Sequence, residues 1–156
     1  SRRMLEIAAE RGARSVMGGA EALPFPPRSF DDVLMALTLC FVADTQQAPA
    51  ECARVLRPDG RLLVGMVPAD GPWGRHYAEQ AAQGHPIYSP ARFRGTKELT
   101  ESAAQVGLEL IDARSALFWR PRGTPTPRAD TRAGIIPEAG FVGLLFEKRE
   151  ADSAVQ

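Results

Sequence analysis

The 156 residues are 44% hydrophobic, enough to bury the core of one ordinary domain. Nineteen basic residues balance nineteen acidic ones, which leaves no electrostatic pull toward nucleic acid or an anionic membrane. Cys40 and Cys52 show neither CxxC spacing nor a neighbouring histidine, so no disulfide framework and no zinc site is indicated, and a reducing, cytoplasmic setting is expected.

The chain opens on "SRRMLEIAAERG", where Met4, Leu5, Ile7 and Ala8 recur at helical spacing and Gly12 supplies a stop, an amphipathic helix rather than a signal peptide. "SVMGG" (15–19) reads as a short strand. The prolines of "AEALPFPPRS" then forbid both helix and central strand. "FDDVLMALTLCFV" has no polar alternation after Asp32, as expected of a strand buried on both faces of a parallel sheet. Asp44 is the expected N-cap of a helix running toward Pro58, which Pro49 should kink or whose true first turn it should mark. "PDG" (58–60) reads as a turn, and "RLLVGMV" as a second buried strand, completing a βαβ unit. A helix and loop over 71–93 follow, then a helix from Thr96 to near Gly107. The strands "LELIDARSALFW" and "GFVGLLFEKRE" flank a long basic, proline-rich loop. A single domain over 1–150 and a frayed tail over 151–156 are expected. No apolar run reaches the roughly 18 residues that span a bilayer.

Taken in order, "AEALPFPPRSFDDV" and "ARVLRPDGRLLVG" with the final pair of strands resemble the class I S-adenosylmethionine-dependent methyltransferases of the methyltransferase type 11 kind. The resemblance covers nearly the whole chain and implies an α/β, Rossmann-like three-layer sandwich with strand order 3-2-1-4-5-7-6 and an antiparallel seventh strand. Gly74, Arg75, His76 and Tyr77, with "ARF" and the helix start at Thr96, resemble a bacterial and archaeal subgroup of that family more loosely. The family's glycine-rich first turn and the acidic residue closing its second strand have no counterpart here. The chain is therefore expected to begin about one βαβ unit, on the order of 30 residues, into the domain. "DVLMALTLCFV" would then carry an unpaired edge, open to self-association.

The resemblance implies S-adenosylmethionine as cofactor and places Ala20 and Glu21 at its adenine end, with a solvated loop carboxylate as the other reading of Glu21. Ala36 and Leu37 fall at the carboxyl end of a strand, where open α/β sheets bind ligands. Cys40 and Phe41 follow, fitting core packing as well as cofactor contact. Leu23 and Phe25 are expected to pack as a lid. Methyl transfer from a sulfonium gains mostly from positioning and exclusion of water, and needs a base only if the acceptor arrives protonated. No residue is thereby marked as catalytic. His76 and Tyr77 are the weak candidates for orienting or deprotonating an acceptor. Arg92, Arg94, Arg120 and Arg122 read as an anionic entry or as solvated surface, and Trp73 and Trp119 as a pocket wall or core edges. The expected activity is methyl transfer to a small-molecule acceptor, without nucleic acid, membrane or metal. The competing reading is a non-catalytic methyltransferase-like interaction module. A dehydrogenase would lack its glycine fingerprint and leave "AEALPF" before "SFDDV" unexplained.

Overall fold

The computed structural model describes residues 2–125 and 130–149; the expected tail at 151–156 lies outside them. Helix α1 (Arg2–Glu10) forms where its apolar period predicts, and Gly12, at φ 81°, ends it. The strands are β1 (Phe30–Ala36), β2 (Leu56–Met66), β3 (Leu108–Ala116), the two-residue β4 (Arg132–Ala133) and β5 (Phe141–Lys148). They make one mixed sheet in the order β1-β2-β5-β3-β4. β1 and β2 run parallel, as a strand-helix-strand unit requires, and β5 is antiparallel to both β2 and β3. This is the Rossmann-like arrangement of the fourth to seventh strands that the resemblance implies.

Helices α2 (Gln47–Val55) and α4 (Thr96–Gln105) pack on β2 and β3 and touch one another. Beneath them Leu62, Val64, Val142, Leu144 and Phe146 are completely buried. Helix α3 (Pro72–Ala82) lies beyond the carboxyl end of β2. Its Trp73 ring occupies the space a side chain on Gly140 would need, and its Nε1–H donates to the Trp119 carbonyl at 2.9 Å. Lys148 reaches from β5 to the C-terminal end of α2, where its Nζ donates to the carbonyls of Ala53 at 2.6 Å and Leu56 at 2.8 Å.

Three sequence expectations change. "SVMGG" forms no strand: residues 15–18 are exposed and unassigned, and the nearest pairing is a single bridge between Gly19 and Ala22. A five-residue apolar stretch has no ladder of its own to satisfy its backbone, so without a neighbouring strand it stays irregular. "PDG" does not precede the strand but lies inside it as a bulge. Pairing passes from Phe30↔Leu56 to Asp32↔Arg61, Asp59 takes φ 58°, and a side chain on Gly60 would collide with the Arg57 and Asp31 carbonyls. Finally, the apolar run at 30–42 is not one strand buried on both sides. β1 stops at Ala36 because Leu37 adopts φ 52°, and a 3-10 turn follows at Leu39–Phe41. On the sheet face away from α2 and α4, Leu34 is 67% and Leu63 42% exposed, directly paired across the two strands. β1 is a terminal strand of the sheet, so its outer edge is unpaired among the described residues. No described helix is long and apolar enough to cross a membrane.

Candidate functional site

Because β1 and β2 are parallel, their carboxyl ends emerge together, at the edge where open α/β sheets hold ligands. Three concavities lie along this side of the molecule. The first, about 250 Å³, sits between β1 and the proline-rich loop, walled by Gly18, Gly19, Ala20, Leu23, Pro24 and Phe25 and closed by Leu34, Thr38 and Cys52. No charged side chain lines it. The loop has no ladder of its own and is held by α2. Leu23 N–H donates to Glu51 Oε2 at 2.7 Å, and Arg54 donates to the Phe25 carbonyl at 2.8 Å and the Leu23 carbonyl at 3.0 Å. Arg54 also grips both oxygens of Glu51, at 2.7 and 2.8 Å, a bidentate pair that holds the carboxyl below the usual range. The N-terminal end of α2 is capped from Asp44, whose Oδ1 accepts from Gln46 and Gln47 N–H at 2.9 and 3.0 Å.

The second concavity is a slot of about 20 Å³, space for about one water molecule, between Leu37, Cys40, Met66, Phe93 and Arg94. Leu37 N–H donates to the Gly65 carbonyl at 2.8 Å, fixing the turn out of β1 onto β2. The Cys40 carbonyl accepts from Arg92 N–H at 2.6 Å, and burial pushes the Cys40 thiol up. Behind it, the Cys52 thiol is pushed up to about 11, also by burial. Phe41 is 53% exposed. Glu21 closes this turn from the other side. Its Oε1 accepts from Ala43 N–H at 2.9 Å, the bond that holds its carboxyl below the usual range.

The third concavity is an open groove of about 700 Å³ between α3 and the ends of the β3–β5 loop, lined by Asp70, Arg75, His76, Glu79, Trp119, Arg120 and Glu138. His76 faces it, but Tyr77 turns into an aromatic cluster, stacked on Tyr88 at 4.4 Å and Phe93 at 5.6 Å between centroids. Burial raises the Tyr77 phenol above its ordinary value. Among the described residues no group of three or more His, Cys, Asp or Glu side chains could hold a metal ion.

The methyltransferase domain family model matches residues 1–64. The fold superimposes with a TM-score of 0.87 on the crystal structure of an S-adenosylmethionine-dependent methyltransferase from Thermotoga maritima, described as a possible histamine N-methyltransferase. That protein is 34% identical to this chain, over 96% of this chain and 70% of the other. The chain belongs to the S-adenosylmethionine-dependent methyltransferases. An uncharacterised protein of Mycobacterium tuberculosis is 40% identical over 147 residues, 92% of this chain and 50% of that protein. The ubiquinone/menaquinone biosynthesis C-methyltransferase of Yersinia pestis is 29% identical over 131 residues, 84% of this chain and 46% of that enzyme. The chain thus spans about half the length of these curated relatives.

The structure divides the residues singled out from sequence. Ala20 lines the 250 Å³ groove, whereas Glu21 braces the turn beside it through Ala43. Leu37 and Cys40 line the slot, Ala36 is exposed beside it, and Phe41 projects outward. Leu23 and Phe25 form a groove wall, with the Phe25 ring edge-on to Phe30 at 5.0 Å. His76 and Tyr77 are neighbours with different surroundings. Of the arginines, Arg94 lies at the slot and bonds Glu98 at 3.2 Å, while Arg120 lines the open groove. Arg122 adopts φ 64° in the loop beyond. Sequence reading missed Glu51 and Arg54. Their signal was an opposite-charge pair three residues apart in an otherwise apolar helix.

Proposed function

We propose that this methyltransferase transfers the S-adenosylmethionine methyl group to a small-molecule acceptor, and that the groove walled by residues 18–25 receives the adenine end of the cofactor. The observation that carries the reading is that uncharged groove, beside the carboxyl end of β1, in a chain of this family. Its volume of about 250 Å³ lies below the roughly 300–1,000 Å³ of whole ligand clefts, which suits a flat heteroaromatic ring rather than an entire nucleoside with its amino-acid arm. Its lining fits that ring in chemistry too, since Leu23, Phe25 and Leu34 offer apolar surface and nothing charged. The lining supplies no carboxylate for ribose hydroxyls among the described residues, so the fit concerns the adenine end only.

The cofactor, when bound, supplies an electrophilic methyl on a sulfonium. The chain's residues position and shield. Ala20 walls the ring, and Glu21 holds the 38–43 turn against the loop through Ala43. Ala36, Leu37, Cys40 and Phe41 lie where β1 ends; Leu37 and Cys40, which line the slot, offer the surface that keeps water from the reacting atoms, with Ala36 and Phe41 exposed beside them. The acceptor is assigned to the open groove along α3. There His76 can orient it or take its proton, whereas the raised phenol of Tyr77 makes that residue a packing partner and a poor base. The outer edge of β1, unpaired among the described residues, supports self-association by strand pairing. The cytoplasmic setting rests on the two free cysteines.

Calorimetric titration of the full-length protein with S-adenosylhomocysteine tests the assignment. Micromolar binding is the expected result. No binding would sink it and leave the non-catalytic module as the standing reading.

A further inference from the structure

The loop that walls the adenine groove is irregular between Leu23 and Phe25, so its polar backbone groups need partners outside a ladder. One helix face provides them. Glu51, with its side chain only 11% exposed, accepts from Leu23 N–H, and Arg54, 33% exposed, donates to the carbonyls of Leu23 and Phe25. The same pair is locked internally by the fork between guanidinium and carboxylate. Cys52, between them in sequence, contributes to the groove lining. The backing and the bonds that hold the wall therefore come from a single rigid element, α2, and these two side chains tie the loop to it.

We infer that Glu51 and Arg54 are positioning residues for the cofactor, holding Leu23–Phe25 at the distance from α2 at which the groove admits the adenine ring. The inference rests on the assignment of that groove to adenine. An ion pair serving stability alone would not need to reach the loop. Here three of the bonds end on loop backbone and none on a loop side chain, so the contact fixes the wall's place whatever side chains it carries. Neither residue touches the reacting atoms, so neither is catalytic.

The experiment uses the full-length protein and two probes, S-adenosylhomocysteine and adenosine, titrated calorimetrically, with thermal unfolding followed in parallel. Arg54→Lys keeps the charge on a partly exposed side chain but loses the fork that spans two carbonyls. Glu51→Gln keeps an oxygen for Leu23 N–H, and Glu51→Ala removes it. Loss of several charge-assisted bonds predicts that Arg54→Lys and Glu51→Ala weaken both probes by about tenfold or more and by equal factors. Glu51→Gln should restore most of the affinity. Equal factors matter because a defect at the adenine end is shared by the two probes. The inference is overturned if folded Arg54→Lys binds both probes within about twofold of the wild type, a change too small for a lost charge-assisted bond. It is overturned equally if adenosine binding is spared while that of S-adenosylhomocysteine falls. If Glu51→Ala does not fold, Arg54→Lys with Glu51→Gln decides alone. A wild-type protein that binds neither probe sinks the adenine assignment itself, a result distinct from unchanged binding by the variants.

Discussion

Helices α1 and α2 are each nine residues long, and each carries an apolar stripe. Yet α2 buries Ala48, Pro49, Glu51, Cys52, Ala53 and Val55, while α1 buries none of its residues. The two faces of the sheet repeat the contrast. Leu144 and Phe146 on one face are completely covered, and Leu34 and Leu63 on the other stand partly in solvent. Periodicity confers the capacity to pack, and a partner converts it into burial. Hydrophobic stabilisation in this chain is therefore concentrated between the sheet and α2 with α4.

The sharpest test of that contrast is at two leucines. Leu144→Ala should cost about 2–5 kcal/mol in urea unfolding, because it opens a cavity in a packed layer. Lys148→Met comes next. It removes two charge-assisted bonds to the end of α2 and should cost about 1.5–3 kcal/mol, with faster amide exchange over the last turn of that helix. The Glu51–Arg54 pair gives a smaller, pH-dependent effect. The folded-state pKa of Glu51 lies below its ordinary value of 4.5, so its stabilisation is fully present above that value and is lost as the pH falls through the lowered one. Urea midpoints measured down the acid limb should fall less steeply in Glu51→Gln than in the wild type. Smallest of all, Leu34→Ala should change stability by no more than about 0.5 kcal/mol. If it cost as much as Leu144→Ala, the open face would be covered in solution and the contrast between the faces would collapse.

Most of the architecture was legible from residue patterns. The apolar runs at 62–66 and 141–146 are strands, the stop at Gly12 and the cap from Asp44 sit where local chemistry places them, and Pro49 occupies a first turn. These are features decided within a few residues. What escaped depends on distant neighbours. Residues 15–18 have strand-like composition but no pairing partner among the described residues, and the bulge over 58–60 brings Gly60 against the Asp31 carbonyl, 29 positions earlier. The site divides the same way. The family motif marks where the loop and the turn after β1 lie, since both are continuous in sequence. The clamp on the loop joins Leu23 to Glu51 and Arg54 across 28 and 31 residues, and no spacing rule encodes such a bond. Similarly, His76 and Tyr77 are adjacent in sequence but face an open groove and an aromatic stack respectively, a distinction that only the packing of α3 makes.

The position of β5 carries a consequence for biosynthesis. Among the described strands it comes last in chain order, yet it lies in the middle of the sheet, bonded to β2 on one side and β3 on the other. Until residues 141–148 have been synthesised, the inner edges of β2 and β3 have no native partner, and Leu62, Val64 and Ser115 lose the neighbours that cover them. A nascent chain that has passed β3 but not yet reached β5 therefore carries the open hydrogen-bonding edges of two strands, a window in which a ribosome-bound chaperone has the most to shield.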